Sequence, residues 1–99
     1  MTARELLTAY RGAVMELQEL ELLPDDMAAV RRAAKRACLT AMEPQMVNLL
    51  SEIEVSRTYL VIRMYYQQAA TDAAIAQRMH ISISRVNQIR NAYIRTLTG

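Results

Sequence analysis

Apolar residues recur along this chain at spacings of three and four, the signature of amphipathic helices rather than strands. Leu6, Tyr10, Ala13, Leu17 and Leu20 form a first stripe, widened by Leu7 and Val14. Thr2 and Glu5 in front of it match a capping box, in which the hydroxyl accepts a free amide and the carboxylate reaches back. The pattern predicts a first helix of about six turns, ended by Pro24. Asp25 or Asp26 is placed to cap a second helix. Its apolar face is expected at Met27, Val30, Ala34, Ala37, Cys38 and Ala41, with Cys38 an inert core residue and Arg31, Arg32, Lys35 and Arg36 on the outer side. Pro44 is expected to break or kink the chain, because the residue before a proline disfavours helical backbone. Another helix would begin at Glu43-Pro44-Gln45, apolar at Met46, Val47, Leu49, Leu50 and Ile53.

The second half reads as three further helices. Ser56 is placed to cap one that runs to about Gln68, burying Val61, Ile62, Met64 and Tyr65 or Tyr66. Thr71 is a good N-cap for a short helix from Asp72 to Met79, and Asp72 suits the positive end of its dipole. A turn at His80-Ile81 leads to Ser82, a second N-cap. The last helix carries Val86, Ile89, Tyr93 and Leu97 on one side. Two helices joined by so short a turn form a helix-turn-helix, which needs a small residue at the contact and often a positive φ in the turn. Ala76 fills the first role and His80 the second, since His tolerates that conformation better than most residues. Ile75, Met79, Ile81, Val86 and Ile89 would seal the joint. The expected fold is all-α, with an N-terminal helical hairpin over residues 1–54 followed by a helix-turn-helix bundle over residues 55–99.

Composition agrees with helices. The 99 residues are 53 % hydrophobic, with 2 Gly, 2 Pro and neither Phe nor Trp. Most all-β folds, which need frequent turns and β-branched or aromatic strands, are excluded. One cysteine excludes an intramolecular disulfide and a Cys-rich zinc site. The absence of a signal-peptide pattern, and of any apolar run near the roughly 20 residues of a membrane span, makes the cytoplasm the expected compartment and excludes a membrane role. No nucleophile is paired with a base, and there is neither a glycine-rich phosphate loop nor a ligand cluster. Catalytic residues, metal ligands and cofactors are therefore not expected.

The formal charge of +2 conceals an asymmetry. Residues 1–54 hold six basic and nine acidic groups, a net of −3, whereas residues 55–99 hold six Arg against Asp72 alone, a net of +5. Arg is suited to planar, bidentate contact with phosphate and guanine. The outer face of the last helix carries Ser84, Gln88, Asn91 and Arg95, flanked by Arg85 and Asn87, and the helix has no acidic residue. Amides pair with adenine edges and Arg with guanine edges or phosphate, while the helix start after Ser82 offers amides to a phosphate.

The run from Thr71 to Ile89, with Ile75-Ala76, the Ile81-Ser82 turn and Arg85-Val86-Asn87-Gln88-Ile89 in order, resembles the C-terminal helix-turn-helix of bacterial sigma factors, region 4. Val61-Ile62-Arg63-Met64-Tyr65-Tyr66 resembles the hydrophobic helix that precedes that motif. The resemblance covers about residues 55–97. The whole chain is similar to small sigma-region-4-like proteins of phages and mobile elements in Gram-positive bacteria. Ala69 and His80 stand where Gly is usual in the family, Tyr65 replaces Arg, and Ile83 stands where a polar or charged residue is frequent. The resemblance implies a last helix in the major groove of double-stranded DNA. It would put Ser84 and Gln88 at base-reading positions, Arg85 near the backbone and Thr71 and Ser82 as phosphate-side caps. From their residue types and places alone, Asn91 and Asn87 join the expected base-reading set and Arg78 and Arg95 the expected backbone set. A sequence-specific transcriptional regulator is expected, not an enzyme and not a complete sigma factor. The N-terminal helices would then form a homodimer or contact RNA polymerase. The alternative is a protein-interaction module, touching RNA polymerase or a phage component, that keeps the motif as scaffold.

Overall fold

A computed structural model describes residues 1–97, and among them are five helices. Helix α1 (Ala3–Leu20) opens with the expected capping box: the Thr2 hydroxyl accepts from the Glu5 amide at 3.1 Å, and the Glu5 carboxylate accepts from the Thr2 amide at 3.2 Å. Its buried residues are Leu6, Leu7, Tyr10 and Ala13, within the expected stripe. Helix α2 (Asp25–Ser51) returns antiparallel and packs along α1. At about 1.5 Å per residue its 27 residues span about 40 Å, close to the 43 Å long axis of the molecule.

Helix α2 departs from expectation in four ways. It runs through Pro44 without interruption. Pro44 deprives the Thr40 carbonyl of its helical donor, but both residues are exposed, so water can satisfy that oxygen. The residue capping its start is Pro24, with no side-chain cap, and Asp25 instead pairs with Arg32. Arg32, expected in the solvated cluster, is buried and also donates to the Leu20 carbonyl at 2.9 Å and the Leu23 carbonyl at 3.0 Å. It thereby satisfies carbonyls at the end of α1. Finally, the buried face is Ala28, Met42, Met46 and Leu50, whereas Met27, Val30 and Cys38 are exposed. The larger side chains of the second stripe fill the space against α1, and the Ala-rich stripe is left outside.

Helix α3 (Ser56–Ile62) begins with Val55 as the capping residue, so Ser56 stands inside the first turn rather than capping it. The chain continues directly into a wide π-helical turn, Arg63–Gln67. That turn ends with the Gln68 amide donating to the Arg63 carbonyl at 3.2 Å and the Ala70 amide to the Met64 carbonyl at 2.9 Å. Ala69 between them has φ 54°. Helix α4 (Asp72–Met79) is capped by the Thr71 hydroxyl, which accepts from the Ala74 amide at 3.1 Å. Helix α5 (Ile83–Thr96) is capped by the Ser82 hydroxyl, which accepts from the Arg85 amide at 3.0 Å. His80 between them is left-handed, φ 56° and ψ 43°, as its place in a short turn requires.

Two apolar clusters hold these elements. One joins Leu6, Leu7, Tyr10 and Ala13 of α1 to Met42, Met46 and Leu50 of α2 and to Ile62 and Tyr66, with Tyr93, Ile94 and Leu97 at its edge. The other joins Val61 and Met64 to Ile75, Ala76, Val86 and Ile89, with Met79 and Ile81 packed against it. Ile75, Val61 and Val86 are completely covered, and each such side chain contributes roughly 1.5–3 kcal/mol. Successive residues of α3 thus serve different clusters, so the segment is a wedge between the hairpin and the α4–α5 pair. No described helix is long and apolar enough to cross a membrane.

Candidate nucleic-acid interface

The angle between α4 and α5 is fixed by the second cluster and by the left-handed cap at His80. The Ile81 amide returns to the Ala76 carbonyl at 3.1 Å, which ends α4 and turns Ile81 inward. Val86 and Ile89 are then buried, and the opposite side of α5 is forced outward. Ser84, Gln88, Asn91 and Arg95 are all exposed along that side, and Arg85 is exposed beside them. The outward placement expected from the periodicity of this helix is thus an exposure of these side chains. Asn87 lies differently: it is half-buried, its amide donates to the Ile83 carbonyl at 3.1 Å, and its Oδ1 accepts from Arg90 at 2.8 Å. It is drawn toward α4 and away from the line of Ser84, Gln88 and Asn91.

The residues expected from the sequence to meet a DNA backbone also separate into two kinds. Arg78, Arg85 and Arg95 are exposed cations. The Thr71 and Ser82 hydroxyls are each engaged in capping, and the first amides of α4 and α5 have no acceptor within their own helices. The start of α5 therefore presents backbone donors next to Ser84 and Arg85.

The only carboxylate among residues 55–97 is Asp72, and it is neutralised internally. Arg90 donates to its Oδ2 at 2.7 Å, with both side chains largely covered. The Arg90 guanidinium also lies 4.2 Å from the Tyr65 ring centre, and the Arg11 guanidinium 3.8 Å from it. Such contacts are typically worth ~0.5–2 kcal/mol. Arg11 further donates to the Tyr65 carbonyl and, at 3.0 Å, to the Ala70 carbonyl. The π turn and the start of α4 are thus pinned to the hairpin. Arg4 performs the same service at the other end of α5, donating to the Ile94 carbonyl at 3.1 Å.

Sequence reasoning missed Arg4, Arg11, Arg32 and Arg90 as internal clamps. Only Arg90 carried a local signal, since the acid placed to favour the α4 dipole is its partner. No group of three or more His, Cys, Asp or Glu positioned to hold a metal ion occurs among the described residues. The chain matches no protein-family model, no curated protein and no solved structure.

Proposed function

We propose that this chain is a sequence-specific DNA-binding regulator of transcription in the cytoplasm. In this reading α4, the His80 turn and α5 act as a sigma-region-4-like helix-turn-helix, with α5 in the major groove of double-stranded DNA. The observation that carries the reading is the outer side of α5. An exposed line of Ser84, Gln88, Asn91 and Arg95 without a carboxylate is unusual for a merely solvated helix, which mixes both charges for pairing and solubility. Gln88 and Asn91 are the side chains suited to adenine, Arg85 and Arg95 to guanine or phosphate. Ser84 suits either. Arg78 and the amides after Thr71 and Ser82 would hold the phosphates on each side. Asn87, engaged by Arg90, would support the surface rather than lead it. Ile83, 51 % exposed at the start of α5, adds an apolar contact of the kind that reads a thymine methyl.

Selection of bound fragments from a random pool of double-stranded DNA, followed by anisotropy titrations across salt, tests this reading. A recurrent site and an affinity that falls steeply with salt are expected. Absence of salt-dependent binding would sink it. Replacing Arg85 and Gln88 together by Ala is expected to weaken binding to the selected site roughly tenfold or more, with unchanged helical circular dichroism. Replacing a thymine of that site by uracil is expected to weaken the parent chain but not the Ile83→Ala variant.

A further inference from the structure

Four of the large apolar side chains left exposed among the described residues, Leu22, Leu23, Met27 and Val30, lie at the free end of the α1–α2 hairpin. Leu22 is 86 % exposed, Met27 65 % and Val30 84 %. Met27, Val30, Ala34, Ala37 and Ala41 recur at alternating steps of three and four, the spacing by which one helix presents a seam to another. Among the described residues no element covers Met27 or Val30 of this seam. Beside it runs a shallow groove of about 580 Å³ between the two helices, with Leu20, Leu23 and Ala34 along it. Its α1 bank is acidic, Glu16 and Glu19, and its α2 bank is basic, Arg31 and Lys35. Lys35 is paired within the chain to Glu16 at 2.6 Å. Among the described residues neither Glu19 nor Arg31 has an ion-pair partner.

We infer that this face is covered by a second copy of the chain. The charge pattern selects the symmetry. A two-fold axis running along the groove carries each α1 over the partner's α2. Every acidic bank then meets a basic bank, and Glu19 of each copy faces the Arg31 of the other. A two-fold axis across the groove would set acid against acid. The selected arrangement also makes each α1 antiparallel to the α2 it covers, as in an up-and-down four-helix bundle. The contact is isologous, so it closes on itself as a dimer rather than propagating. Ala34 lets the backbones approach, while Leu20, Leu23 and Met27 supply apolar area. The α4–α5 pairs lie at the opposite end of the hairpins and stay free. The inference is independent of DNA binding and is tested without DNA.

The full chain is examined by sedimentation velocity over a wide range of concentration and salt. A reversible dimer that loosens at high salt is expected, and a chain that stays monomeric throughout overturns the inference. Glu19→Arg and Arg31→Glu, each alone, should weaken self-association about tenfold or more, because each sets like charges together at both symmetric contacts. Both residues lie at the surface, and circular dichroism verifies that each variant is folded. Mixing the two variants is decisive. One presents two cations at the groove and the other two anions, so the mixture should form a heterodimer that neither makes alone. Failure of the mixture to associate, or reversal variants that dimerise like the parent, would overturn the inference, as would a dimer indifferent to Val30→Glu.

Discussion

Ala69 and His80 hold a left-handed backbone without being glycine, at φ 54° and 56°. A Cβ in that region costs about 1–2 kcal/mol. Removing it also frees the unfolded chain, a loss of roughly 0.5–1 kcal/mol. Ala69→Gly is therefore expected to stabilise the protein by up to about 1 kcal/mol, read as a higher urea midpoint with an unchanged slope. His80→Gly should gain less, because His is better tolerated there. An unmoved or lowered midpoint for Ala69→Gly would show that the turn is held by something other than its φ. At this scale the sequence was legible wherever the partner is near. The capping box at Thr2 and Glu5, the caps at Thr71 and Ser82, and the turn at His80 all close within three or four residues. Arg4, Arg11 and Arg32 were illegible as clamps. The first two reach carbonyls 90 and 54 residues away, and even Arg32 caps a helix other than its own. Charge counting reads such residues as surface cations.

Helix α2 explains why periodicity chose the wrong face over residues 27–41, although it named Met46 and Leu50, which are buried. It carries two apolar stripes, and a helix that is apolar on more than one side has no single face to choose. Packing decided between them, since Met42, Met46 and Leu50 bury more area per residue than Ala34, Ala37 and Ala41. Pro44 was misread because the bias of the residue before a proline against helical backbone was taken to end the helix, whereas Pro44 lies on the solvent side and only an exposed carbonyl loses its donor. Helix α1 is simpler, with one stripe and one weak point. Gly12 sits in its interior, and a methyl group there would meet nothing within 4 Å. Gly12→Ala should therefore stabilise the chain by about 0.5–1 kcal/mol, the ordinary helix penalty of glycine. Urea or thermal denaturation checks this. Because Gly12 lies outside the groove proposed for self-association, the gain should be the same in the Glu19→Arg variant.

In the whole molecule, the apolar cluster that joins the hairpin to the C-terminal helices is built around tyrosines from both. Tyr10 comes from α1, Tyr66 from the π turn and Tyr93 from α5. Burial pushes each phenol above its ordinary value of about 10. Glu43, which accepts from the Tyr10 hydroxyl at 3.2 Å, adds to the shift at Tyr10. Glu52 adds to the shift at Tyr93. At Tyr66 the nearby Arg90 opposes the effect of burial without cancelling it. For an acid whose folded pKa is raised, the stabilisation is present below the unfolded value and is lost as pH rises through the folded one. Above about pH 10 the unfolded chain releases its phenolic protons first, so the folded state binds more protons and stability falls with pH. The urea midpoint should therefore decline across that range. In the native chain these phenols should ionise at higher pH than in the denatured chain, as read by tyrosinate absorbance. Coincident native and denatured titrations would contradict it. Tyr10→Phe should remove part of the decline, because the substitution removes one of the phenols whose pKa is raised by burial. The cluster spans residues on both sides of position 54, so its loss should release α1 and α5 in one transition. Helical circular dichroism and tyrosine fluorescence are expected to fall together as the pH is raised.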